Sequence, residues 1–180
     1  MNAIDRPDWD TYFLSECFLT AERSPDPETK HGTIVVAPDH TPLSHGYNGF
    51  PRGCDDSMIP LTRPEKYAWL VHSEEAAIYN AAKHGMAALQ GSIFYTTGFP
   101  CSRCARGIIN VGAIAVVYGP VESFCVDDSE KDLVREMFAS HRPPIDLTEK
   151  DLEEHDVVSL LEKTRKRVVI AKRKRGLPMK

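Results

Sequence analysis

Apolar positions along the chain change period several times, and each change marks an element. In "DWDTYFLSECFLTAER" (residues 8–23), Trp9, Phe13, Cys17 and Leu19 fall near one face of a predicted helix that Ser24-Pro25 ends. "TIVVAP" (33–38) is a short β-branched run, and "TPLSHGYNG" (41–49) is a second strand entering a Gly/Asn turn; together they read as a hairpin. The Pro, Gly and Asp content of residues 50–66 predicts a loop. A helix starting near residue 65 or 72 then runs to Lys83. "SIFYTT" (92–97) reads as a strand, "CSRCARGIINVG" (101–112) as a helix and "AIAVVYG" (113–119) as a strand. "SEKDLVREMFAS" and "TEKDLEEHDVVSLLEKTRK" read as two closing helices. A β-α-β-α alternation from residue 92, after a hairpin and a helix, predicts a layered α/β domain.

Composition adds little to this until charge is read by position. At 180 residues, 42% hydrophobic and 27% charged, the chain suits one globular domain with a sizeable core. No run of eighteen apolar residues occurs, and "MNAIDRPDWD" lacks the basic and apolar regions of a secretory leader, so a cytoplasmic compartment is expected. The net charge of −4 hides an asymmetry. Residues 163–180 carry nine of the 22 Lys and Arg and no acid, which leaves 13 basic against 26 acidic residues before them. The expected division is a domain over 1–162 and a basic tail over 163–180. No aromatic residues interleave with the tail's charges, so it reads as a solvated or docking tail rather than a base-stacking surface.

The five cysteines (Cys17, Cys54, Cys101, Cys104, Cys125) are an odd number and argue against a disulfide framework. Cys101 and Cys104 form a C-x-x-C pair at a predicted helix start, where the helix dipole favours thiolates, the form that binds zinc. His72, at another helix start, is the candidate third ligand. Three protein ligands leave a fourth position for water, the mark of a catalytic rather than a structural zinc. Glu74 is then a carboxylate near that water without being a ligand. The spacing His72-Ser73-Glu74, 25 residues, Pro100-Cys101-Ser102-Arg103-Cys104 matches the signature of zinc-dependent nucleobase deaminases.

From about residue 12 to 119 the chain resembles the deoxycytidylate (dCMP) deaminases of the cytidine-deaminase-like superfamily. Four stretches carry the resemblance: "AERSPDPETKHG", "GYNGFPRGCDD", "HSEEAAI" and "PCSRCARGIINVGAIAVVY". "GYNG-x-P" is the most discriminating, because the zinc signature is shared across the superfamily. The resemblance implies a three-layer α/β/α sandwich with a mixed five-stranded sheet, and hydrolytic deamination of dCMP to dUMP and ammonia, supplying thymidylate synthesis. It implies Zn2+ held by His72, Cys101 and Cys104, with Glu74 moving protons between water, ring N3 and the leaving amine. It further implies a homo-oligomer, often a hexamer, with dCTP as activator and dTTP as inhibitor. Asn48 would contact a nucleotide in the substrate or the allosteric site. Arg52, leaving that turn, is the candidate phosphate contact among Arg52, Arg63, Arg103 and Arg106, and Tyr118 is a candidate for stacking on a base.

Some residues depart from the family pattern. Where relatives commonly read His-Ala-Glu-Leu-Asn-Ala, this chain has Glu75 for Leu and Ala76 for Asn, and "HGT" puts His31 where an apolar residue precedes Gly-Ala. These changes bear on substrate and regulation and leave the zinc signature intact. Two other readings stay open: a zinc deaminase acting on another nucleotide, nucleoside, free base or single-stranded nucleic acid, and a non-catalytic nucleotide-binding protein with structural zinc.

Overall fold

A computed structural model describes residues 6–83, 85, 89–123, 126–152 and 162. The compact unit that carries the features below ends at Lys150. Helix α1 spans Trp9–Ala21 and starts at Asp8, whose side chain accepts the Thr11 N–H. Strands β1 (Gly32–Val36) and β2 (Pro42–Tyr47) form the expected antiparallel hairpin. After two short 3-10 turns at 56–58 and 65–68 come helix α2 (Ser73–Lys83), strand β3 (Ile93–Gly98) and helix α3 (Ser102–Asn110). Strand β4 (Ala115–Val121), helix α4 (Asp128–Ser140) and strand β5 (Asp146–Glu149) complete the unit.

The five strands lie in the order β2-β1-β3-β4-β5. β1 is antiparallel to β2 and β3, whereas β3, β4 and β5 run parallel, joined by α3 and α4. The sheet is therefore mixed. Register separates its two faces. Val35, Phe94 and Val116 are laterally paired and pack with Ala77 and Ala81 of α2, Ala105 and Ile108 of α3, and Val134 and Phe138 of α4. The alternate row, Ile34, Tyr95 and Val117, faces the other way. There α1 covers it: the Phe13 ring lies 5.1 Å from Tyr95, and the Cys17 thiol donates to the Tyr95 carbonyl at 3.2 Å. Three α/β/α layers result, with the mixed five-stranded sheet that was expected.

Two glycines set the layer spacing. A Cβ at Gly32 would collide with the Cys17 carbonyl of α1, and one at Gly46 with Ala77 N and Ser73 O of α2. Helix backbone thus rests directly on strand backbone, on opposite faces of neighbouring strands.

Two expectations need correction. Phe13 and Cys17 are buried, but Trp9 is 49% and Leu19 63% exposed; Leu14 and Ala21 complete the packed face of α1 instead. Trp9 stacks on the His40 ring, centroids 4.5 Å apart. The second closing helix was expected to begin at Thr148, yet Thr148 and Glu149 belong to β5, paired with Val117 and Tyr118. The remainder of that predicted helix, apart from residues 150–152 and 162, and the whole basic tail lie outside the described residues.

Candidate metal centre and its cleft

Each metal-ligand candidate sits at a helix start because each helix begins where an extended segment ends. His72 accepts the first helical bond of α2 from Ala76 N at 2.8 Å. Cys101 is the cap of α3 in extended conformation (φ −74, ψ 166) and accepts Ala105 N at 2.8 Å. Cys104 follows in the first turn of α3. Since His72 precedes the helical turn, it need not point away from Glu74 as two fully helical residues would; both line one cleft.

The donor atoms of His72, Cys101 and Cys104 lie within 4.8 Å of one another. His72 Nδ1 is 3.5 Å from Cys101 Sγ and 3.4 Å from Cys104 Sγ. A tetrahedral zinc with ordinary Zn–N and Zn–S bonds requires N···S separations of about 3.6 Å. Hydrogen bonding from Cys101, then burial, then the Glu74 charge push the Cys104 thiol well above its ordinary range. The thiolate a metal needs is therefore disfavoured until a cation is bound beside it. Geometry and chemistry both fit zinc at His72, Cys101 and Cys104.

Glu74 is 6% exposed and takes a hydrogen bond on Oε2 from Ser73 Oγ at 3.0 Å. Ser73 in turn accepts from the Thr33 hydroxyl at 2.9 Å. A buried chain of hydroxyls running from β1 to α2 thus engages one carboxylate oxygen of Glu74. Glu75, the adjacent departure, accepts the His72 N–H at 3.2 Å and pairs with Arg103, which also donates to the Leu70 carbonyl at 3.3 Å. One guanidinium from the C-x-x-C segment therefore grips the backbone beside His72.

The cleft is narrow, with a cavity volume of about 70 Å³. Its wall includes His31, Asn48, Lys66, His72, Glu74 and Cys101. Asn48 lies in this wall, but Oδ1 accepts the His31 N–H at 2.7 Å and Nδ2 donates to the Thr29 carbonyl at 2.9 Å. Its amide clamps the loop on which the cleft is built. The structure places Arg52 and Tyr118 elsewhere. Arg52 is exposed, bonded to Asn80 Oδ1 at 2.9 Å, in a second cleft of about 640 Å³ with Arg23, Tyr47, Phe50, Tyr79 and Lys83. Tyr118 borders a third cleft and donates to Glu149 Oε2 at 3.1 Å. Cys54 is an exposed free thiol of the second cleft.

Sequence reasoning missed the ion cluster in the cleft wall. Lys66, 1% exposed, contacts Asp26 at 3.0 Å and Glu28 at 2.7 Å, and Arg63 Nε meets Glu28 at 2.8 Å. Burial alone would raise the Asp26 carboxyl; the Glu28 N–H, Lys66 and the Thr29 N–H outweigh it and hold Asp26 below its usual range. Nothing in spacing signals a pair 40 residues apart. Ser73 could have been noticed from its adjacency to Glu74.

Residues 7–120 match the family described as the cytidine and deoxycytidylate deaminase zinc-binding region. The chain is 40% identical over 121 residues to a probable deoxycytidylate deaminase of Drosophila melanogaster, covering 61% of this chain and 58% of that protein. It is 35% identical over 120 residues to the deoxycytidylate deaminase of Mus musculus, covering 63% and 66%. These alignments thus take in less than two thirds of either relative's length. The dCMP deaminase of cyanophage S-TIM5, solved with dCMP and dUMP, has the same fold, with TM-score 0.62, 22% identity, and coverage of 82% of this chain and 100% of that one.

Proposed function

Since the chain belongs to the cytidine and deoxycytidylate deaminase zinc-binding family, we propose that it hydrolyses the exocyclic amine of dCMP, releasing dUMP and ammonia. The observation that carries this reading is a buried carboxylate, Glu74, in the same cleft as the His72, Cys101 and Cys104 donor set. Zinc held by these three side chains would supply Lewis-acid activation of a water molecule near neutral pH. Glu74 would take one proton from the water whose oxygen bonds to C4 of the pyrimidine. It would pass that proton to ring N3 and then carry the second, from the new C4 hydroxyl, to the departing amine, so that the C4–N bond breaks, ammonia leaves and a carbonyl remains. A structural zinc site would have no use for a carboxylate so placed.

The names of the relatives support dCMP among the amine-bearing substrates. Nucleotide regulation and a homo-oligomer belong to the same reading. The second cleft supports it, with three cations (Arg23, Arg52, Lys83) for a phosphate group and aromatic rings (Tyr47, Phe50) for a base.

The test is deamination of dCMP against deoxycytidine, CMP, cytosine and single-stranded DNA by the zinc-loaded chain, with dCTP and dTTP added in turn. Preference for dCMP is expected. Turnover of another amine with silence on dCMP overturns the substrate and keeps the chemistry; silence on all, with zinc bound, overturns the enzyme reading.

A further inference from the structure

His31 stands where the family pattern has an apolar residue, and its surroundings give the imidazole a defined task. The main chain at His31 is clamped on both sides: its N–H donates to Asn48 Oδ1 at 2.7 Å, and its carbonyl accepts the Asn48 N–H at 3.1 Å. The ring lies along Gly98, where an added Cβ would come within 3.3 Å of His31 Cε1. Nδ1 is 3.0 Å from Thr97 Oγ1. That hydroxyl already accepts the Gly32 N–H at 3.3 Å.

The Thr97 hydroxyl has one proton to give, and His31 Nδ1 is within its reach. With Thr97 donating to Nδ1, the ring proton of neutral His31 sits on Nε2. Nε2 is screened from solvent and has no partner among the described residues, while the ring lines the same cleft as Glu74 and His72. Native folds rarely keep a buried donor unmatched without a use for it.

We propose that His31 is a specificity-determining residue, whose Nε2–H donates to an acceptor oxygen of the bound pyrimidine nucleotide, either the ring carbonyl or a sugar oxygen. This rests on the nucleotide reading above. A hydrophobic residue at this position could exclude water but could not distinguish ligands by that oxygen, so the substitution adds selectivity without altering the proton-transfer machinery.

The experiment uses the zinc-loaded chain carrying Glu74→Gln, to prevent turnover, alone and combined with His31→Val or His31→Gln. Calorimetric binding of dCMP and of its 2′,3′-dideoxy analogue is measured, with nitrogen-15 NMR of the His31 ring. His31→Val is expected to weaken dCMP about tenfold. His31→Gln, which keeps an N–H near the same place, should recover most of that loss, with zinc content and melting temperature unchanged. If the acceptor is the sugar 3′ oxygen, the dideoxy analogue binds both proteins equally; if it is the ring carbonyl, the tenfold difference persists. Binding of dCMP by His31→Val within twofold of its parent overturns the proposal while leaving the substrate reading intact. A ring proton found on Nδ1 does the same. Failure of the parent to bind either nucleotide, with zinc in place, overturns the substrate reading and this inference together.

Discussion

Glu74 is the residue on which activity should depend most and stability least. Its carboxylate is held by Ser73 Oγ, and an amide of the same shape keeps that bond while losing the ability to carry a proton. Glu74→Gln should lower kcat about a thousandfold, with zinc stoichiometry and melting temperature unchanged by metal analysis and calorimetry. Loss of the metal along with the activity would instead give Glu74 a structural role. The ligand residues were legible from spacing because each needs only the start of its own helix to be placed. Lys66, Asp26 and Glu28 were not: their contact depends on how the loop after α1 meets the 3-10 turn before α2, and no local pattern records that meeting. Arg52 was singled out by closeness in sequence to the Gly-Tyr-Asn-Gly turn, and the chain carries it to the second cleft rather than to the metal centre.

Among elements, α2 is the one whose position the chemistry feels, and two devices fix it. Gly46 lets its backbone lie on β2, and the Glu75–Arg103 pair ties its first turn to α3. Gly46→Ala should destabilise the protein by about 3 kcal/mol or more, because the atoms it meets are main chain and cannot rotate aside; chemical denaturation measures this. Arg103→Ala should leave stability nearly unchanged, as half-exposed ion pairs do, yet weaken zinc binding about tenfold in competition with a chelator. An unaltered zinc affinity would reduce the pair to surface decoration. The hairpin, α2, β3, α3 and β4 were readable because their period and punctuation agree. β5 was not, since "DLTE" is a four-residue edge strand with mostly exposed side chains, and its acidic composition resembles the helix expected after it. Likewise the exposed Trp9 and Leu19 show that apolar character alone does not orient a helix; Phe13, Leu14, Cys17 and Ala21 do so by what they meet.

For the whole molecule, pH acts through the buried cluster of Lys66 with Asp26 and Glu28. Asp26 titrates below its unfolded value of about 3.9, so its contribution to stability is complete above that pH and is lost as pH falls through the depressed folded value. Burial opposes the charge on Lys66, but hydrogen bonds to Glu28 and Asp26 prevail and raise its pKa, so its contribution is complete below about 10.5 and lost at higher pH. Melting temperature should therefore fall at both extremes. Lys66→Ala should remove about 3–5 kcal/mol near neutrality by leaving Asp26 buried and unpaired, and flatten the acid limb.

His72 lies 29 residues from Cys101 and 32 from Cys104. A metal joining them closes a loop that contains α2 and β3, the very pieces that bring the donors together. It acts as a reversible cross-link, shrinking the freedom of the unfolded chain when metal stays attached and favouring the folded one by mass action. Stripping zinc with a chelator should thus lower the melting temperature by several degrees, measured against the same protein reloaded with metal. A preparation part-loaded with zinc would melt in two steps, and the ratio of the steps would be an assay of its metal content.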